Sequence, residues 1–198
     1  MKRFLLLSIL FIFSLELSAQ APANSMLFDF NKSRNHKTNV GLKVLGGWAL
    51  ANMAASGYMF TQTKGEDKYF HQMNVMWNGA NALIVVASLL PKQKNDLDLN
   101  KTLQWQSNTE STYIASAALD LLYSTCGLYL TERAKNDLPN HDKFQGWGNA
   151  LVYNGAFLFL FDTSMFIVHK HNGKKLYHMM DKVSISTSGL GIKVGVHL

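Results

Sequence analysis

His71, Asn74, Asn78 and Asn81 follow one another at intervals of three, four and three residues within a largely apolar stretch. On an α-helix that spacing stacks all four along one face. Trp48, Asn52 and Ser56 repeat the pattern at intervals of four, as do Ser116, Asp120 and Ser124. Asn149, Asn154 and Asp162 supply further polar groups at less regular spacing. An amide side chain both donates and accepts, so stripes of this kind suit two tasks. One is structural: hydrogen bonds between apolar helices contribute about 0.6 to 2 kcal/mol each. The other is a buried site for a small polar ligand, an ion or a proton. Asp120 weighs toward the second task, because a carboxyl group inside an apolar block must carry a proton or find a donor. Asn52, Asn78 and His71 are the donors that the stripes offer it. The candidate ligand-binding seam therefore comprises Asn52, His71, Asn74, Asn78, Asn81, Asp120, Asn154 and Asp162. No catalytic residue is assigned. The competing reading is a membrane enzyme or redox subunit in which His71 and Asp120 act as an acid/base pair.

Metal and cofactor chemistry finds little footing. Of the seven histidines, only His71 falls on a polar stripe. His169 and His171 stand two apart at the end of an apolar block, so on a helix they point in different directions. His36, His141, His178 and His197 fall in linkers or near the end of the chain. A bis-histidine haem needs two ligands at matching depth, and His71 has no counterpart. The lone cysteine, Cys126, excludes a disulfide framework and a cysteine-based metal site, and is expected to be a small packing residue. No nucleophile elbow, Walker loop, dinucleotide fingerprint or HExxH is present. No metal and no cofactor are expected. The formal charge of +6 is spread over every linker, with no basic stripe interleaved with aromatics, so nucleic acid is not expected as a partner.

The elements that must position the seam are four apolar blocks, at residues 41–60, 69–90, 111–130 and 144–168. Pro91 stops the second, and Pro139 lies in the turn before the fourth. Each has an apolar centre of roughly 17 to 22 residues, which at about 1.5 Å per residue matches a hydrocarbon layer of about 30 Å. None shows the charged face of a water-soluble amphipathic helix. The expected fold is all-α, a four-helix transmembrane bundle of two helix hairpins over residues 41–176. Gly47, Ala51 and Ala55 form a small-residue ridge suited to close helix packing. Trp77-Asn78-Gly79-Ala80 is echoed by Tyr153-Asn154-Gly155-Ala156, which raises an internal duplication of the hairpin.

The flanks carry other signals. Basic Lys2-Arg3, an apolar run and Leu17-Ser18-Ala19 before Gln20 read as a signal peptide over residues 1–19, with an uncleaved first anchor as the alternative. Residues 20–40 are polar and expected to be irregular. The charged linker after Pro91 carries Leu97, Leu99, Leu103 and Trp105, and part of it is expected to lie along the membrane interface. Residues 177–198 alternate in period two around Ser188-Gly189 and read as a β-hairpin tail. Cleavage at Gln20 places eleven lysines and arginines outside and five inside, against the positive-inside tendency, so charge does not orient the bundle.

Four segments carry a resemblance: Val44-Leu45-Gly46-Gly47-Trp48-Ala49-Leu50-Ala51-Asn52; Tyr69-Phe70-His71-Gln72-Met73-Asn74 with Trp77-Asn78; Leu119-Asp120 with Gly127-Leu128-Tyr129-Leu130; and Gly155-Ala156-Phe157-Leu158 with Phe161-Asp162. In these the chain resembles an uncharacterised family of small four-helix membrane proteins of Bacteroidota, a domain of unknown function. The likeness covers about residues 41–168. It implies the membrane architecture and no reaction. The expectation is an exported protein of the cell inner membrane, with the lipid bilayer as its surroundings. A small-molecule or lipid ligand and a membrane-protein partner are the partner classes considered.

Overall fold

The computed structural model describes the backbone of residues 2–91, 95–188 and 191–196, and the side chains of residues 24–91 and 95–178. The side chains of the leader, the turn residue Gly189, and His197 lie outside the described residues.

The helix boundaries follow from local chemistry. α1 (Lys2–Gln62) ends ahead of Gly65, whose φ of +62° suits glycine and lets the chain reverse into α2 (Gly65–Leu89). Glu66 and Asp67 in the first turn of α2 complement its dipole, and Pro91 follows its last turn. α3 (Leu99–Ala134) is capped by Asp98, whose side chain accepts a 3.1 Å hydrogen bond from the Lys101 amide. The Asp98 backbone is in turn braced by Asp96. The Lys101 ammonium beside Asp96 holds that carboxyl below its ordinary range. A single 3-10 turn containing Pro139 leads into α4 (His141–Lys182). Two six-residue strands, β1 (Val183–Ser188) and β2 (Gly191–Val196), then pair antiparallel.

The four helices form an all-helical bundle in which α1 packs along α2, α3 along α4, and α4 also along α2 and α1. Residues 24–40 are helical rather than irregular. That stretch contains neither glycine nor proline. Leu27, Phe30, Asn31 and Arg34 are buried on one face, which continues through Leu42, Leu45 and Ala49. The first residues of α3 likewise pack inward instead of lying along an interface. Leu99 and Leu103 cover a cluster of Leu27, Phe30 and Leu176.

The closest helix contacts are not at the expected ridge. A Cβ on Gly47 would meet open space, and Ala51 and Ala55 are exposed. The tight crossing is between α3 and α4, where a Cβ on Gly127 would lie 2.6 Å from the Gly148 carbonyl oxygen and one on Gly148 equally close to that of Gly127. A Cβ on Gly155 would strike the Ser124 hydroxyl, and one on Gly146 the Glu66 carbonyl. Cys126 is exposed rather than packed.

Polarity is distributed inside out. Asn31, Asn78, Asn154, Gln106, Thr102 and His169 are fully buried, while Leu50, Leu83, Leu122, Leu128, Leu160 and Ile167 are exposed. Two helices, α3 and the stretch of α4 reaching His178, are long and apolar enough to cross a membrane, and only 17% and 28% of their most apolar windows are buried in the bundle. The sequence blocks numbered four. Those of α1 and α2 are diluted by asparagine, serine and glycine.

Candidate functional site

The polar seam divides into two neighbourhoods. The first joins α1, α2 and α4. Asn74 Nδ2 donates to Ser56 Oγ at 2.7 Å and to Asn52 Oδ1 at 3.1 Å. His71 Nδ1 lies 3.1 Å from the same Ser56 hydroxyl. Asn78 Nδ2 reaches Asn74 Oδ1 and Asn154 Oδ1, both at 2.9 Å, and Asn154 Nδ2 donates to Asn74 Oδ1 at 2.7 Å. The asparagines of the two echoed tetrapeptides thus bond directly to each other. Backbone carbonyls anchor the set one turn back: Trp48 for Asn52, Asn74 for Asn78, and Ala150 for Asn154. Stacking of Trp48 on Phe157, with centroids 3.6 Å apart, packs α1 against α4 beside this network. Five of the eight candidate residues, Asn52, His71, Asn74, Asn78 and Asn154, therefore form one hydrogen-bond network, in which Asn78 Oδ1 is buried without a partner among the described residues.

The other three, Asn81, Asp120 and Asp162, line a cleft of about 560 Å³. Its geometry follows from the packing order. α4 separates α2 from α3 through most of the bundle, and these two touch where Trp77 meets Tyr123 edge-on, with centroids 4.7 Å apart. From that contact the cleft runs about 16 Å along α2 to Ser88 and about 21 Å along α3 to Thr109, at a rise of about 1.5 Å per residue. Leu42 and Leu45 of α1 and Leu158 and Phe161 of α4 form its apolar floor. Asp120 of α3 and Asp162 of α4 both line this cleft. The sequence leads one to expect that Asp120 carries a proton or pairs with a donor such as Asn52, Asn78 or His71. It instead shares the cleft with Asp162, because the Ser116-Asp120-Ser124 stripe turns toward α4 rather than toward α1 and α2. No hydrogen bond joins His71 to Asp120 among the described residues. Asp120 Oδ2, Asn81 Nδ2 and Trp77 Nε1 are buried and lack a hydrogen-bond partner among the described residues.

Sequence reasoning missed a third polar cluster, in a collar formed by α1, the start of α3 and the end of α4. Gln106 Nε2 donates to the His169 carbonyl at 2.7 Å and to Glu110 Oε1 at 2.8 Å. Lys170 pairs with Glu110 at 3.2 Å, and Asn31 Nδ2 donates to Thr102 Oγ1 at 3.0 Å. Tyr113 stacks on the fully buried His169. Burial pushes the Arg34 guanidinium, which lies over the Trp105 ring, down to about 10, still charged at neutral pH. A groove lined by Arg34, Asn35, Trp105 and Asn108 continues into the cleft through Thr38, Leu42 and Thr109. The signal was present in the intervals of four from Thr102 to Gln106 to Glu110, hidden by the apparent character of that stretch as a linker.

Fold and site together define an all-helical bundle with amides and carboxyls inside and apolar side chains outside. Residues 44–163, more than half the chain, match the pattern of a family of unknown function, DUF6992, and the chain belongs to that family. No curated protein and no solved structure matches it.

Proposed function

We propose that this is a non-enzymatic integral membrane protein that crosses the bilayer with all four helices and holds one small amphiphilic molecule in the cleft between α2 and α3. The observation that carries the reading is the inversion of polarity. A protein in water does not surround buried asparagine and aspartate with a continuous coat of exposed leucine, isoleucine and valine, whereas a protein in lipid gains nothing by hiding them. The cleft supports the ligand part. Its rim carries the exposed Ile84 and Leu119, while Asn81 and Asp120 lie buried within, a polarity that fits a polar head inside and a chain passing out between the helices. In this reading the leader directs the chain to the inner membrane, and the amide network is the interhelical glue that holds the cleft open.

Membranes washed at alkaline pH and native mass spectrometry of the detergent-extracted protein test both parts. The protein should stay in the washed membrane and carry a bound small molecule, which Ala80→Trp, filling the cleft from α2, should expel. Release by the wash without detergent overturns the membrane reading. An unliganded wild-type protein overturns the cleft reading.

A further inference from the structure

The cleft combines features that restrict what its occupant can be. Asp120 and Asp162 both line this cleft above its apolar floor, where two bare carboxylates repel each other unless a cation or a proton offsets them. Asp120 is 95% buried and its Oδ2 accepts no hydrogen bond among the described residues. Independently, Asn81 is 92% buried, and its Nδ2 donates to nothing among the described residues. The Trp77 indole N–H in the same cleft is in the same position. A buried acceptor and two buried donors without partners each carry a cost that a suitably built head group removes. The remaining titratable groups in the lining are Tyr113 and Tyr123 of α3; α1 and α2 contribute none, and Arg34 belongs to the adjoining groove.

We propose that the cleft selects a cationic amphiphile, with an ammonium group seated between Asp120 and Asp162, a neighbouring oxygen accepting from Asn81 and Trp77, and a hydrocarbon chain leaving past Ile84 and Leu119. The ammonium balances the two carboxylates electrostatically, and any proton that the pair gives up on its entry leaves to solvent. Tyr113, Tyr123 and Phe161 also line the cleft, and aromatic side chains near a cation favour it. A fatty acid would bring a third acidic group to the pair, and an alkanol would leave the charge arrangement as it was. This inference rests on the reading that the cleft holds an amphiphile.

Competitive native mass spectrometry of the full-length chain in detergent, offered N-dodecylethanolamine, dodecanol and dodecanoate, separates the possibilities. N-Dodecylethanolamine should bind at least about tenfold more tightly than either competitor. That preference should vanish in Asp120→Asn/Asp162→Asn while dodecanol binding persists, showing the cleft intact. If the double variant does not fold, Asp162→Asn alone, at the less buried partner, serves the same comparison. Dodecanol or dodecanoate binding as tightly as the amine overturns the cationic selection and leaves the cleft reading standing, as does a preference that survives the substitutions. If wild-type protein binds none of the three, the cleft reading itself fails.

Discussion

Asn78 and Asn154 are fully buried, each donates to its partners across a helix interface, and each is anchored to its own helix one turn back. Replacing one by leucine leaves the other's amide, and that of Asn74, short of partners. We expect Asn78→Leu to destabilise the bundle by about 1 to 2 kcal/mol, read as thermal unfolding in detergent. The Asn78→Leu/Asn154→Leu double variant should cost clearly less than the sum of the two single changes, since the first has already broken the shared bond. Strict additivity would mean that the pair does not interact. At this scale the sequence was informative about inward direction and silent about partners. The three-and-four spacing placed Asn74 and Asn78 on one face, as found. Nothing local said that Asp120 would share a cleft with Asp162 rather than join the amides.

Among the elements, the two hairpins are held together differently from one another. α3 and α4 approach through Gly127 and Gly148, each of which would press a Cβ against the other's carbonyl. Gly148→Ala should therefore cost about 1 to 3 kcal/mol through forced separation of the helices. Gly47→Ala, facing open space on α1, should be neutral or stabilising by up to about 1 kcal/mol, because alanine favours the helix. Both changes are read in the same unfolding assay. Equal losses at the two sites would restore the α1 ridge and contradict the packing described. Small-residue spacing marked Gly47, Ala51 and Ala55, but a glycine's spacing carries no record of what lies opposite it. The continuous helix through residues 24–40 was legible in principle: its buried positions recur at three and four, and its polar members, Asn31 and Arg34, disguised the stripe.

Over the whole molecule, α4 has 42 residues and at 1.5 Å per residue extends about 63 Å, roughly twice the hydrocarbon thickness. In the proposed membrane arrangement, one end of the bundle then stands clear of the lipid. The collar, with its buried Gln106, Glu110, Asn172 and Arg34, is the part built for that position. A charge-bearing, water-soluble maleimide applied to membranes opened on both sides should leave exposed Cys126 unmodified if lipid covers it as proposed. The same reagent should label His36→Cys in a Cys126→Ser background, since His36 is exposed in the collar. Labelling of Cys126 in the bilayer at the rate seen in detergent would place that face of α3 in water and refute the spanning arrangement.

The amino-acid sequence by itself determined the helical character of the chain, several of its boundaries and which residues face inward, because propensity, capping and the 3.6-residue period act over a few neighbours. Tertiary structure alone decided that α3 turns its polar stripe to α4, that α2 and α3 diverge beyond Trp77 and Tyr123, and that the seam splits into an interhelical amide network and a cleft holding two carboxyl groups. Those outcomes depend on which surfaces of distant helices fit together, and that fit is a property of pairs of elements far apart in the chain.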